Sequence, residues 1–311
     1  MPTRRSPRKG SLQFWPRKRA AKLLPSANWN AISSKKPLKG LIAYKAAMMS
    51  AHVSDETEHS MTKGKKKVIP VTVLECPEAR IFSIRLYKDG RVKSEFLAED
   101  LNKELKRKVK LPKSSKPLGE INPEDFDDIR VIIYTDVKKA KIKKTPDILE
   151  VGLEGSFEEK LNFVKEKLKK PITVEDVFEK GQLIDVRGVT KGKGLQGPVK
   201  RFGINLKSHK SEKGRRRPGS LGPWHPARVT FKVPMAGQMG LFTRVIYNNK
   251  IIDLGNEKKF NNLLHYGNIN KSYIVVAGSV QGPKKRAVLL TQAMRPTKKQ
   301  SKKKYELIEL R

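Results

Sequence analysis

Acidic residues are scarce in this chain. Of 311 residues, 31 are Asp or Glu against 68 Lys or Arg, a formal net charge of +37. Self-repulsion on that scale disfavours a compact state unless a polyanion lies against it. Cysteine is scarcer still. Cys76 is the single one; it excludes an internal disulfide framework and a thiolate zinc site, fits a reducing cytosol, and reads as a small semi-buried side chain. No uninterrupted apolar run approaches the roughly 18 residues that a membrane span needs. The basic opening MPTRRSPRKGSLQFWPRKRA has no apolar stretch behind its charges, so it does not read as a secretory signal. The histidines, His52, His59, His209, His225 and His265, keep no metal-ligand spacing with one another or with Cys76. No nucleophile, base and orienting group can be assembled, and the expectation is a soluble intracellular protein without enzymatic activity, cofactor or metal.

The charge that is present is unevenly placed. Residues 95–179 are nearly neutral, with 18 Lys and Arg against 19 Asp and Glu, so the excess lies in the flanking segments. Residues 1–54 carry 12 basic groups and no acid, 186–252 hold a single acid, Glu212, and 281–305 hold nine basic groups and no acid. One such run is as readily a solvated face as a binding surface. Three of them, interleaved with Phe14, Trp15, Trp29, Phe202 and Trp224, offer rings to stack on unpaired bases and cations to meet phosphates. None forms an amphipathic helix with one apolar face, which disfavours a membrane surface.

Periodicity predicts strands at 68–74, 81–87, 131–134, 183–189, 227–233, 273–276 and 287–290. A further hairpin is expected from 243–247 and 250–254 around Asn248 and Asn249, a pair suited to positive φ. The best helix is 156–169: Ser156 and Glu159 spell a capping box, and Phe157, Leu161, Val164 and Leu168 share a face. Short strands without intervening helices predict a mainly β fold, an antiparallel barrel, into which the neutral block is inserted as an α/β region. The expected organisation is a basic extension at 1–54, a first barrel part at 55–94, the insertion at 95–179, a second barrel part at 180–290, and a strand with basic tail at 291–311.

Within the second barrel part, a glycine-rich basic loop at 190–237 lacks apolar periodicity, and eight Lys or Arg fall between Pro198 and Arg217. Loops of this length inside a compact domain are usually functional. Its glycines, among them Gly192, Gly194, Gly197, Gly203, Gly214, Gly219 and Gly222, with Gly188 just ahead of it, permit close backbone approach to another surface. The string Gly192 to Gly197 has the letters of a dinucleotide fingerprint, but Pro198 and a basic stretch follow where a Rossmann helix should open. Residues 188–193 are too short for a phosphate-binding P-loop and lack its Ser or Thr.

Two uncommon strings, RPGSLGPWHP from Arg217 to Pro226 and MAGQMG from Met235 to Gly240, resemble the signature of the universal large-subunit ribosomal protein three family. VRGVTKGKG from Val186 to Gly194 is similar to that family's approach to its central loop. Gly10-Ser-Leu with Pro16 to Arg19 resembles the N-terminal extension of its archaeal and eukaryotic members, and the short tail after Pro296 favours the archaeal type. Glu212 stands where eukaryotic relatives carry a histidine.

The resemblance implies a translation-type β-barrel with an α/β insertion, and a finger running through 23S-type rRNA toward the peptidyl transferase centre. Early binding during subunit assembly, neighbouring large-subunit proteins as partners, and neither membrane nor DNA as a partner are further implications. The candidate RNA-binding residues are Arg4, Arg5, Arg8, Lys9, Trp15, Arg17, Lys18 and Arg19 in the first run. In the second they are Lys191, Lys193, Lys200, Arg201, Lys207, Lys210, Arg215, Arg216, Arg217, Trp224, His225 and Arg228, and in the third Lys284, Lys285 and Arg286. Gly219, Ser220, Gly222, Trp224 and His225 would form the fingertip; without the surrounding string, Trp224 reads as an ordinary core aromatic. The rival classes are a non-ribosomal nucleic-acid-binding or compacting protein and an RNA-modifying enzyme with a basic platform.

Overall fold

The computed structural model describes residues 7–112, 125–256, 260–269 and 271–311. In chain order the elements are β1 (Gly40–Asp55), β2 (Lys66–Glu75), β3 (Ala79–Lys88), β4 (Arg91–Leu97), β5 (Asp128–Thr135), β6 (Ile148–Gly152), α1 (Phe157–Lys167) and β7 (Leu183–Val189). There follow β8 (Leu195–Gln196), α2 (Pro198–Phe202), β9 (Gly237–Gln238), β10 (Thr243–Gly255), β11 (Phe260–Leu263), β12 (Gly267–Ile269), β13 (Tyr273–Ala277), β14 (Ala287–Gln292), α3 (Lys298–Ser301) and β15 (Tyr305–Leu310). The chain divides into two compact units, Leu23–Gly188 with Arg244–Arg311 and Met1–Lys22 with Val189–Thr243.

The larger unit is mainly β. Its principal sheet runs β14-β7-β10-β13-β2-β1, and a further pairing of β14 with β1 closes the ring; β15 pairs with the second half of β1, Ala51–Asp55. Gly40 faces Thr291 across one seam, and Tyr44 faces Ala287 at one end and Glu75 on the other neighbour. β1 is the longest strand, and it occupies residues expected to belong to the N-terminal extension. The reason is its burial: Leu41, Ile42, Ala43, Tyr44 and Ala46 are all fully covered. A strand packed on both sides has no alternation to read.

A second sheet, β4-β3-β5-β6, carries the inserted region. It begins at Ala79, so β3, which precedes the charge-neutral block, and β4, which straddles its start, join the insertion. Net charge marks a solvent face and not a sheet boundary. Across this sheet, Arg85 of β3 pairs with Glu95 at 3.0 Å and Glu150 at 2.8 Å, and within the block Arg130 pairs with Asp128 at 3.2 Å and Lys160 with Asp128 at 2.6 Å. α1 begins at the predicted box, with Ser156 Oγ accepting from Glu159 N and Glu159 Oε2 accepting from Ser156 N. It buries Val164 and rests Phe157, Leu161 and Leu168 against the core.

Two other expectations fail. Residues 227–233 form no strand, because every one but Val233 is exposed and no neighbouring strand pairs with them. Residues 243–255 form one continuous strand in place of a hairpin: Asn248 does take positive φ, but its N–H donates to Asp185 Oδ1 at 2.9 Å and the strand runs on through the irregularity.

Candidate RNA interface

The smaller unit brings together the N-terminal segment and the glycine-rich loop. At the loop's root, Thr190 N donates to Phe242 O at 3.0 Å and Lys193 N to Met239 O at 3.0 Å. Leu195 faces Gln238 and Gln196 faces Gly237 in the short β8/β9 ladder. Gly240 makes the stem possible: φ is +80°, and a methyl group there would run into the Lys191 carbonyl. The loop is therefore a stem with a long distal part and not an open coil.

After the stem comes a turn that sequence did not anticipate. Pro198 at the first position and Gly203 in the left-handed conformation at the end bracket the five-residue helix α2. Phe202 at its end is buried, and the N-terminal segment is fastened to it. The Arg17 guanidinium lies 4.5 Å from the Phe202 ring centre and 4.8 Å from that of Trp15. Gly10, at φ +79°, sits so close to Phe202 that a methyl group would overlap the ring. Trp15 packs edge-on to Phe231 with centroids 5.3 Å apart, Arg8 donates to Lys232 O at 2.6 Å, and Ala20 N donates to Leu241 O at 2.8 Å.

This geometry separates the predicted residues by task. Arg201 donates to the carbonyls of Gln238 at 3.1 Å and Met235 at 3.0 Å, and burial lowers its pKa. With Arg17 and Trp15 it ties the loop together internally. Lys9, Lys18, Arg19, Lys191, Lys193, Lys200, Lys210, Arg216, Arg217 and Arg228 are exposed, Lys207 is half-buried, and the exposed Arg215 donates from Nε to Lys207 O at 3.2 Å. None of these forms an ion pair among the described residues.

At the tip, Ser220 Oγ donates to Gly222 O at 3.3 Å, Gly219 and Gly222 have positive φ, and Trp224 is 84% exposed beside the exposed His225. Trp224 is thus no core aromatic. Phe202 and Trp29, read as stacking rings, are buried: Trp29 fills the larger unit beneath Gly40 and Gly152. Phe231, assigned to a strand, is instead an exposed partner of Trp15. Only its neighbourhood of basic residues could have distinguished it.

On the larger unit, Lys284 donates to Leu264 O at 2.5 Å, the Lys285 ammonium lies 5.9 Å from the Tyr266 ring, and burial lowers the Arg286 pKa. Arg4 and Arg5 lie outside the described residues. No group of His, Cys, Asp and Glu among the described residues is arranged to hold a metal, and no helix is long and apolar enough to cross a membrane.

Chains similar to this one along nearly their whole length are known. The model of the family "Ribosomal protein L3" matches residues 1–311. The large ribosomal subunit protein uL3 of Methanocaldococcus jannaschii is 40% identical over 309 residues, 93% of this chain and 92% of that protein. Its counterpart in Methanococcus vannielii is 41% identical over 306 residues, with 93% and 92% covered, and that of Archaeoglobus fulgidus 38% over 308 residues, with 94% and 93%. A match from end to end, together with a basic loop whose exposed cations have no ion pair among the described residues, leads to one conclusion: the chain belongs to the ribosomal protein L3 family, whose members are structural constituents of the large ribosomal subunit.

Proposed function

We propose that the chain binds large-subunit rRNA through the unpaired cations of the 190–237 loop and the N-terminal segment. In this reading the loop is the finger that reaches toward the peptidyl transferase centre, with Trp224 at its tip, and the protein enters the subunit early in assembly. Lys284, Lys285 and Arg286 add a further contact, and neighbouring subunit proteins complete the partners. Trp15, Arg17 and Arg201 hold the finger's base in shape and leave phosphate contact to the exposed cations.

The observation that carries this reading is the absence of carboxylate partners along the loop among the described residues. Lysine and arginine that remain exposed and unpaired in a chain of +37 keep their counterions, and a phosphate backbone gains affinity by releasing the ions condensed on it. An exposed tryptophan on a held loop supplies a stacking surface for an unpaired base. The role is structural, and no turnover is required of it.

The test replaces residues 198–226 by a short Gly-Ser linker in cells that depend on the variant. Sucrose gradients should show mature large subunits depleted and precursor particles accumulating. Normal subunit levels and normal translation would overturn the assignment of the finger.

A further inference from the structure

Apart from the loop, the larger unit carries a second group of exposed lysines, three of which, Lys298, Lys299 and Lys302, fall in the basic run 281–305 that the sequence singles out. β2, β1 and β15 end together: Ser54 faces Lys66 across one ladder and Asp55 faces Tyr305 across the other. The β1–β2 connection and the residues before β15 therefore meet at one end of the sheet. Glu56 N donates to Lys304 O at 2.9 Å, Lys304 N donates to Thr57 Oγ1 at 3.0 Å, and Lys304 Nζ reaches Glu58 at 3.1 Å. Lys63, Lys65, Lys66, Lys298, Lys299 and Lys302 are exposed here. None of the six has an ion pair among the described residues, whereas the insertion's charges are extensively matched.

Both halves of the patch are held rigid by a buried charge. The Asp55 side chain, 3% exposed, accepts from Thr57 N at 3.1 Å, Ser60 Oγ at 3.1 Å, Thr62 Oγ1 at 2.6 Å and Lys67 Nζ at 2.6 Å, which knots the connection. On the other side Lys250, buried in β10, donates to the carbonyls of Gln300 at 3.2 Å and Ser301 at 3.3 Å and so holds the end of α3. Lysines on a held backbone suit a phosphate backbone better than bases, since an ammonium is a compact point charge without a planar fork to read an edge. Met61, 97% exposed at the apex, adds an apolar tip that can lie against a groove wall.

We propose that this end of the β2-β1-β15 sheet is a second anchor for the phosphate backbone of structured RNA, separate from the finger. The proposal rests on the rRNA-binding reading above. Its test compares three full-length proteins: the unaltered chain, a patch variant (K63Q, K65Q, K66Q, K299Q, K302Q) and a finger variant (R215Q, R216Q, R217Q). Affinity for purified large-subunit rRNA is measured across a salt series, with thermal melts as the fold control. The patch variant should melt like the unaltered chain, and its log–log salt slope should fall by about 4, a little under one for each phosphate no longer neutralised.

A patch variant with the unaltered slope, beside a finger variant that weakens, would overturn the anchor and leave the finger standing. A patch variant that binds rRNA normally yet is missing from large subunits in gradients would show that this surface meets a protein, and would equally overturn the proposal. Failure of the unaltered chain to bind would overturn the proposed function and the anchor with it.

Discussion

Glu75 ends β2 at 1% exposure, with its Oε2 accepting the Tyr266 hydroxyl at 2.5 Å. Burial pushes its carboxyl up to about 7, although the Tyr266 bond favours the ionised form. In the unfolded chain the same group ionises near 4.5, so between these values the folded state binds the extra proton and stability falls as pH rises. Above pH 7 the full cost, about 3 kcal/mol, is present. Glu75→Gln keeps a carbonyl oxygen for Tyr266 and removes the charge. It should raise Tm by several degrees at pH 8.5 and by little at pH 5, where the native carboxyl is already protonated. An equal gain at both pH values would show that something other than ionisation limits this site. Asp55 is the opposite case: Lys67 first, then Thr57 and Thr62, hold its carboxyl well below the usual range, so its contribution is present above the unfolded pKa and disappears only as pH falls through the folded one.

Among elements, α2 depends most on a single side chain. Phe202 carries the Arg17 guanidinium on one contact and that of Arg201, 5.2 Å away, on another, with Gly10 pressed against the ring. Phe202→Ala removes the surface on which the N-terminal segment rests and should cost the smaller unit about 3 kcal/mol. Limited proteolysis should then cut within residues 7–22 and 204–234 at much earlier times than in the unaltered chain, with melting of the larger unit unchanged. An unaltered cleavage pattern would mean that the Ala20 backbone bond and the Arg8 guanidinium bond to Lys232 O suffice.

Elements were legible where one physical signal dominated. The Ser156 box and the β-branched strands β2, β7 and β13 were readable because a cap and a run of Val and Ile have few alternative uses. β1 was hidden by burial on both sides, and α2 by the poor apolar content of its surroundings. The loop itself was evident from glycine and charge, but its division into stem, clamp and tip was not. Whether Arg201 faces carbonyls or solvent depends on Gln238 and Met235, distant in sequence, and no local pattern records that.

At the scale of the whole molecule, charge is unevenly divided. Many cations of the insertion, among them Arg130, Lys143, Lys160 and Lys167, pair with its own carboxylates, while the exposed lysines of the loop and the sheet end have no ion pair among the described residues. Binding distributed in this way is steeply salt-dependent yet tolerant of any single substitution. The protein should therefore comigrate with large subunits through a salt wash that strips loosely bound factors, and lose affinity only when several cations are removed together. Release at moderate salt would contradict a distributed interface.

The closed ring also governs how the chain is made. Gly40 pairs with Thr291, so the seam between β1 and β14 joins strands from far ends of the sequence. During synthesis, β1 emerges with one flank vacant and must wait for nearly the whole polypeptide before that flank is filled. Until then the N–H and C=O groups of that flank lack their partners in β14. The last strands made are therefore the ones that seal the first, and a chain released before β14 leaves that flank open as a template for pairing with another molecule.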